Sequence, residues 1–142
     1  MIIDSHCHLN YEPMSLSLKE TIDRANKDGV KYLLTISTED KSYDKILNII
    51  SKNECVYGSY GIHPHEAKNH QSIKSEDIIK KTQLNKKIIG IGESGLDFYY
   101  NHSDKKDQIK CFEEHIIAAQ NTQLPLIVHT RNAETETIAI LK

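Results

Sequence analysis

Apolar runs and stretches of helical spacing alternate along the whole chain. Met1–Ile3 opens as a short apolar strand that runs into Asp4-Ser5-His6-Cys7-His8. Leu18, Ile22 and Ala25 then share one helical face, Ser17 and Glu20 have the spacing of a capping box, and Gly29 supplies a stop. Val30–Ser37 predicts a second strand, followed by helical spacing at Tyr43, Ile46, Leu47 and Ile50. Val56–Ile62 predicts a third strand and Ser75–Thr82 a short amphipathic helix. Lys87–Gly92 reads as the fourth strand. Ser103 or Asp104 is expected to cap the longest helix, with its stripe of Ile109, Phe112 and Ile116. Leu124–Val128 is the fifth strand, and another helix starts at Asn132.

Near-continuous apolar strands alternating with amphipathic helices predict parallel β/α units, their strands buried on both faces. No linker, repeat or low-complexity stretch interrupts them, so residues 1–142 are read as one unit. The expected fold is α/β, of the (β/α)8 TIM-barrel type, with about the first five β/α units present. A complete barrel takes roughly 250 residues, so the expectation is the N-terminal portion of a single barrel domain, cut after its fifth unit.

Composition narrows the picture. Eighteen Lys and Arg against twenty Asp and Glu leave a net charge of −2, which gives no overall basic face. A polyanionic substrate would have to be held locally, by bound cations or a few placed Arg and His residues. The N-terminus lacks the pattern of a secretory signal, and no apolar stretch approaches the ~18 residues of a membrane span. Cys7, Cys55 and Cys111 form no close pair, which predicts reduced thiols and a cytoplasmic chain.

The chemistry-bearing residues recur at strand ends. In an extended segment Asp4, His6 and His8 share one side, so two imidazoles converge where a barrel keeps its active site. Glu93, directly after the fourth strand, offers two carboxylate oxygens and could bridge two cations, in a segment where Gly90, Gly92 and Gly95 allow close backbone approach. Asp97 is better suited to orienting than to ligation. His129 follows the fifth strand as a further candidate ligand, and Arg131 has the planar fork that suits a phosphate. His63 and His65 end the third strand around Pro64 and suit contact with a substrate phosphate or support of a ligand. His70, His102 and His115 are expected to be solvated and Cys7 to be packed. The pairs Lys80-Lys81, Lys86-Lys87 and Lys105-Lys106 read as solvated faces. HxH alone is common; what is specific is that His-x-His, Glu and His each follow a different apolar strand.

IDSHCHLN, GIHPHEA, IGESGLDFYYN and PLIVHTR stand in the order and near the spacing of the TatD family, and on these four motifs the chain resembles that family of metal-dependent deoxyribonucleases. The resemblance covers essentially the whole chain. It implies a (β/α)8 barrel with two divalent cations (Mg, Mn or Zn) that hydrolyses phosphodiester bonds of DNA. By position it implies His6 and His8 on the first cation, Glu93 bridging both as the central catalytic residue, and His129 on the second. It further implies a His after the sixth strand and an Asp after the eighth, which lie beyond residue 142.

Two other readings compete. One is an inactive truncated fragment, or half of a split enzyme that self-associates or pairs with a separate C-terminal half. The other is a related amidohydrolase-type barrel acting on a small-molecule ester or amide. Such barrels often bridge their metals with a carboxylated Lys, and Glu93 with no Lys beside it favours the nuclease-like group.

Overall fold

Five short runs rich in Ile, Leu, Val and Tyr cannot stand alone in water, and each is followed by a helix with one apolar stripe. Folding the helices back onto the strands buries both. The computed structural model, which describes residues 1–142, has this arrangement. Its strands are β1 (Ile2–Cys7), β2 (Val30–Thr35), β3 (Val56–Tyr60), β4 (Ile88–Asp97) and β5 (Leu126–Arg131). The helices are α1 (Leu18–Lys27), α2 (Tyr43–Lys52), α3 (Ser75–Thr82), α4 (Lys105–Thr122) and α5 (Glu134–Leu141). All neighbours pair in parallel in the order β1-β2-β3-β4-β5, so the sheet curls as half of a barrel. The expected α/β architecture with five β/α units holds.

The core lies under the middle strands. Ile46 and Ile50 of α2, Ile78 of α3 and Ala118 of α4 are fully buried against Val56, Ile88 and Ile91. Each of the Ile and Val side chains contributes about 1.5–3 kcal/mol relative to exposure. Tyr43 and Tyr60 meet edge to face with centroids 4.7 Å apart. Phe112, from the predicted α4 stripe, is also buried against Leu96 and Ala133, with Ile109 and Ile116 half-buried beside it.

Several expectations need correction. Burial on both faces holds for β4, apart from Ile89 near its start, but not for the outer strands, where Ile2 and Ile3 are 55% and 58% exposed and β5 has no buried residue. The physical reason is that β1 and β5 have a strand on one side only. The Ser17–Glu20 capping box is not made, because Ser17 closes a preceding 3-10 turn and its side chain caps nothing. Neither Ser103 nor Asp104 caps α4 with its side chain. Ser103 is instead buried, donating to the His65 carbonyl at 2.9 Å and accepting the Lys68 N–H at 3.1 Å.

His115 is not solvated either. It is fully buried, with Nδ1–H donating to the Cys111 carbonyl at 2.7 Å and Nε2 accepting the Ile62 N–H at 3.0 Å. Burial pushes its pKa down to about 4, reinforced by His70 and resisted by the Cys111 carbonyl and Glu114. His70 is half-buried rather than solvated, while His102 is exposed as expected. Lys87 is tied down by the carbonyls of Ile50 and Asn53 at 2.8 and 2.6 Å, so that pair is not simply a solvated face. Cys7 is packed, its thiol donating to the Leu34 carbonyl and its pKa pushed up to about 12, chiefly by burial.

Candidate metal centre

The C-terminal ends of the parallel strands point the same way, so the residues singled out there meet at one end of the sheet. The strands are displaced from their expected bounds in a way that matters. β1 extends to Cys7, β4 to Asp97 and β5 to Arg131, so His6, Glu93 and His129 stand inside strands rather than in the loops after them. His129 pairs in register with Gly95, whereas His6 and Glu93 lie where the register shifts, the His6 N–H donating to Asp4 Oδ1 at 3.1 Å.

Two glycines make the convergence possible. Gly92 and Gly95 adopt φ of +128° and +148°, and a Cβ on either would stand 2.4 Å from the Ile127 carbonyl oxygen or 2.0 Å from that of His129. Only glycine tolerates both the dihedral and the approach. β4 thereby lies close against β5, with Gly95 opposite His129. The Glu93 N–H donates to the Ser37 carbonyl at 2.8 Å, which fixes the backbone that carries the carboxylate.

Glu93 is at the centre. One oxygen, Oε2, lies 3.4 Å from His6 Nε2 and 4.0 Å from His8 Nε2; the other, Oε1, lies 3.2 Å from His129 Nδ1. His6, His8 and Glu93 form one potential ligand set, and His63, Glu93 and His129 form another. Donors sharing one ion at about 2.0–2.2 Å stand roughly 3–3.5 Å apart in tetrahedral geometry; the 3.4 and 3.2 Å spacings of His6 and His129 from Glu93 fall in that range, and His8 at 4.0 Å stands just beyond it.

The tautomers sharpen this fit. His8 donates Nδ1–H to the Ile36 carbonyl at 3.3 Å, which leaves the Nε2 lone pair toward Glu93. His129 donates Nε2–H to Asp97 Oδ2 at 3.2 Å, which leaves the Nδ1 lone pair facing Glu93 Oε1. Two acceptors 3.2 Å apart need a positive charge between them, either a proton or a metal ion. Accordingly the His129 pKa is raised, first by its hydrogen bond to Glu93, against burial, with Asp97 adding to it. Burial would raise the Glu93 carboxyl, but His129, His63 and His6 hold it below its ordinary value.

His63 differs. Its Nδ1 accepts the His65 N–H at 3.2 Å, so the neutral ring carries its proton on Nε2, directed at His129 Nδ1 at 3.2 Å. A ring in that tautomer donates; it does not ligate through Nε2 without turning over. Burial and the neighbouring His129 push its pKa down to about 4, so it stays neutral.

Asp97 holds the surrounding rings. It is fully buried, and its Oδ2 accepts from His65 Nε2 at 2.8 Å as well as from His129. Its Oδ1 accepts the N–H groups of Tyr99 and Tyr100, each at 3.0 Å. Burial alone would raise its pKa; the Tyr100 N–H, the two imidazoles and the Tyr99 N–H together hold it well below the carboxylate range. Gln108 of α4, fully buried, clamps the same residue by accepting the Asp97 N–H at 2.7 Å and donating to its carbonyl at 3.0 Å.

The residues enclose a cavity of about 460 Å³ lined by His6, His8, His63, His65, Glu93 and His129, with Tyr11, Thr38, Glu39 and Glu66 at its sides. Arg131 does not line it. Its guanidinium sits outside, 4.6 Å over the rings of both Tyr99 and Tyr100. The structure thus unites His6, His8, Glu93, His129, His63 and His65, and leaves Arg131 at the rim. Gln108 and the Ser37 carbonyl went unnoticed in the sequence, and Ser103 was read only as a helix cap, because a polar residue in a helix or strand end carries no local mark of a tertiary partner. His115 was visible only as an isolated histidine.

With this geometry established, known proteins show what it is similar to. A family model described as TatD related DNase matches residues 3–142. A metal-dependent hydrolase of Buchnera aphidicola subsp. Baizongia pistaciae is 39% identical over 99% of this chain and 54% of its own length. The 3'-5' ssDNA/RNA exonuclease TatD of Citrobacter koseri is 28% identical over 87% of this chain and 47% of its own. The crystal structure of YjjV, a TatD homologue of Escherichia coli, superimposes with a TM-score of 0.88 at 25% identity, covering 99% of this chain and 54% of that one. The chain spans about half the length of the relatives it matches.

Proposed function

Because the chain belongs to the TatD-related DNase family, we propose that it hydrolyses phosphodiester bonds of DNA at a site built for two divalent cations. The observation that carries this reading is Glu93, one carboxylate with an oxygen toward each of two sets of histidine nitrogens. His6, His8 and Glu93 would hold one cation, and Glu93 with His129 the other. Such cations, when bound, lower the pKa of a water and offset charge on the phosphoryl oxygens.

The chain's own residues set the stage for that chemistry. Glu93 spans the two sets and is the residue we assign as central to catalysis. Asp97 keeps His129 in the tautomer with its proton on Nε2 and its lone pair on Nδ1, and it orients His65 at the same time. His63 stays neutral, and its Nε2–H, which meets His129 Nδ1 in the free chain, would be released to a phosphoryl oxygen once a cation takes that lone pair. Mg, Mn and Zn all suit this mixture of imidazole and carboxylate. The name of the Citrobacter koseri relative supports a nucleic-acid substrate, and Glu93 in place of a bridging Lys speaks against the ester or amide reading.

A cytoplasmic setting agrees with three free thiols, and no helix is long and apolar enough to cross a membrane. The open edges of β1 and β5, with Ile2, Ile3 and Val128 exposed, favour one addition to this reading. Pairing with further β/α units, from another copy or another polypeptide, would cover them.

The test is release of nucleotides from single-stranded DNA by the purified chain with Mn²⁺ or Mg²⁺, beside Glu93→Gln and an EDTA control. Metal-dependent release that vanishes in Glu93→Gln is the expected result. A folded chain that binds no cation and releases nothing would overturn the proposal for this chain.

A further inference from the structure

We propose that Tyr99, Tyr100, His102 and Arg131 form a stacking platform beside the candidate metal centre that receives an unpaired base of a nucleic-acid strand, with Arg131 on the adjoining phosphate. This rests on the nucleic-acid reading above and adds the part of the substrate that lies away from the scissile bond.

The first observation is exposure combined with order. Tyr99 and Tyr100 are 56% and 48% exposed, two consecutive rings presented to solvent directly after β4. They are not loose. Both backbone N–H groups are anchored on Asp97 Oδ1, and the rings stand perpendicular with centroids 4.8 Å apart. Arg131 sits over both, 4.6 Å from each centroid, and His102 lies parallel to Tyr100 within 7° at 5.7 Å. Aromatic faces fixed before a ligand arrives lose little side-chain entropy on binding.

The second observation is the choice of cation. The chain has 18 Lys and Arg, of which only Arg24 and Arg131 are arginines. One of the two occupies the place where a planar group can stack on aromatic rings and still offer N–H donors outward. A lysine would supply the charge without the plane.

The third is position. His65 lies edge-on to Tyr100 at 5.6 Å and to His102 at 4.6 Å, and it shares Asp97 with His129. One buried carboxylate therefore fixes both the platform and a candidate ligand. A strand with a phosphate at the metal centre would bring a neighbouring nucleotide over the rings. A base in a duplex has both faces covered by its neighbours, whereas an unpaired base has a free face to stack. The alternative, that the rings only hold Arg131 and the loop in place, predicts an effect on stability and none on base dependence.

The experiment measures binding of fluorescent, hydrolysis-resistant phosphorothioate oligothymidylate to the chain by anisotropy, next to the same strand with abasic residues. Wild type is compared with Tyr99→Ala/Tyr100→Ala, Tyr99→Phe/Tyr100→Phe and Arg131→Ala, each checked for folding by thermal melting. Wild type is expected to bind the base-bearing strand at least about tenfold more tightly than the abasic one. The double Ala variant loses that preference, the double Phe variant keeps it, and Arg131→Ala weakens both strands alike. Equal binding of the two strands by wild type, or an unchanged preference in the double Ala variant, overturns the platform and leaves the nuclease reading standing. Binding of neither strand by folded wild-type protein overturns both.

Discussion

On one side of Glu93 stand His6 in β1 and His8 directly after it, on an edge strand whose first apolar residues are exposed. On the other stand His63 and His129, held from behind by buried groups that are themselves satisfied. The His6 and His8 side chains are 42% and 30% exposed, that of His129 21%, and that of Asp97 1%. The outer pair has a single backbone anchor, the Ile36 carbonyl on His8. The inner pair is fixed through Asp97, which Gln108 clamps, and through the Ile62 N–H, which His115 accepts. The two sides thus share a carboxylate but not a foundation. The difference teaches that the ligands of one site can be pre-organised to unequal degrees, according to how many of their supports lie in the closed interior of the sheet.

The largest effect that would break the comparison is expected from Gly95→Ala. Its Cβ would meet the His129 carbonyl oxygen at 2.0 Å in a left-handed dihedral, so β4 and β5 must part. We expect a loss of about 3 kcal/mol or more in urea unfolding, together with loss of the inner side's order. Near-native stability would show that β4 does not need this close approach.

Glu93→Gln should strike both sides at once. On the proposed two-cation reading each cation would lose a charged ligand, and affinity for Mn²⁺ or Zn²⁺ is expected to fall about 100-fold or more at both, roughly 3 kcal/mol each, in calorimetric titration. A fall at one cation only would break the idea of a shared carboxylate.

Asp97→Asn separates the sides. Replacing the acceptor that fixes His129 should weaken the inner cation about 10–100-fold and leave the outer one within about twofold. Equal weakening of both would show that the two sides are not supported differently.

The smallest effect concerns pH. Folded His115 takes a proton only near pH 4, whereas its unfolded reference is 6.5. Between these values the unfolded chain binds more protons, so stability rises with pH. The contribution is fully present above about 6.5 and is lost as pH falls toward 4. From pH 7 to pH 5, unfolding free energy should drop by up to about 2 kcal/mol through this group, with His70, Glu114 and Cys111 around it. His115→Gln, which can still accept the Ile62 N–H, should flatten that part of the profile. An identical profile in the variant would assign the pH dependence elsewhere.

The sequence by itself determined the five β/α units and the strands that bring His6, His8, Glu93 and His129 to one end, because hydrophobic period and strand polarity are local properties. Gly92 and Gly95 were legible as places of close approach for the same reason. What only the tertiary structure decided is which polar groups meet across the sheet. Ser17 has the spacing of a cap and caps nothing; His115 follows two glutamates in the chain and is sealed in the core. The proton on His63, the lone pair on His129 and the four contacts of Asp97 depend on groups up to 66 residues apart in the chain. A hydrogen bond is set by angstroms and angles in space, and no local pattern of residues carries that information.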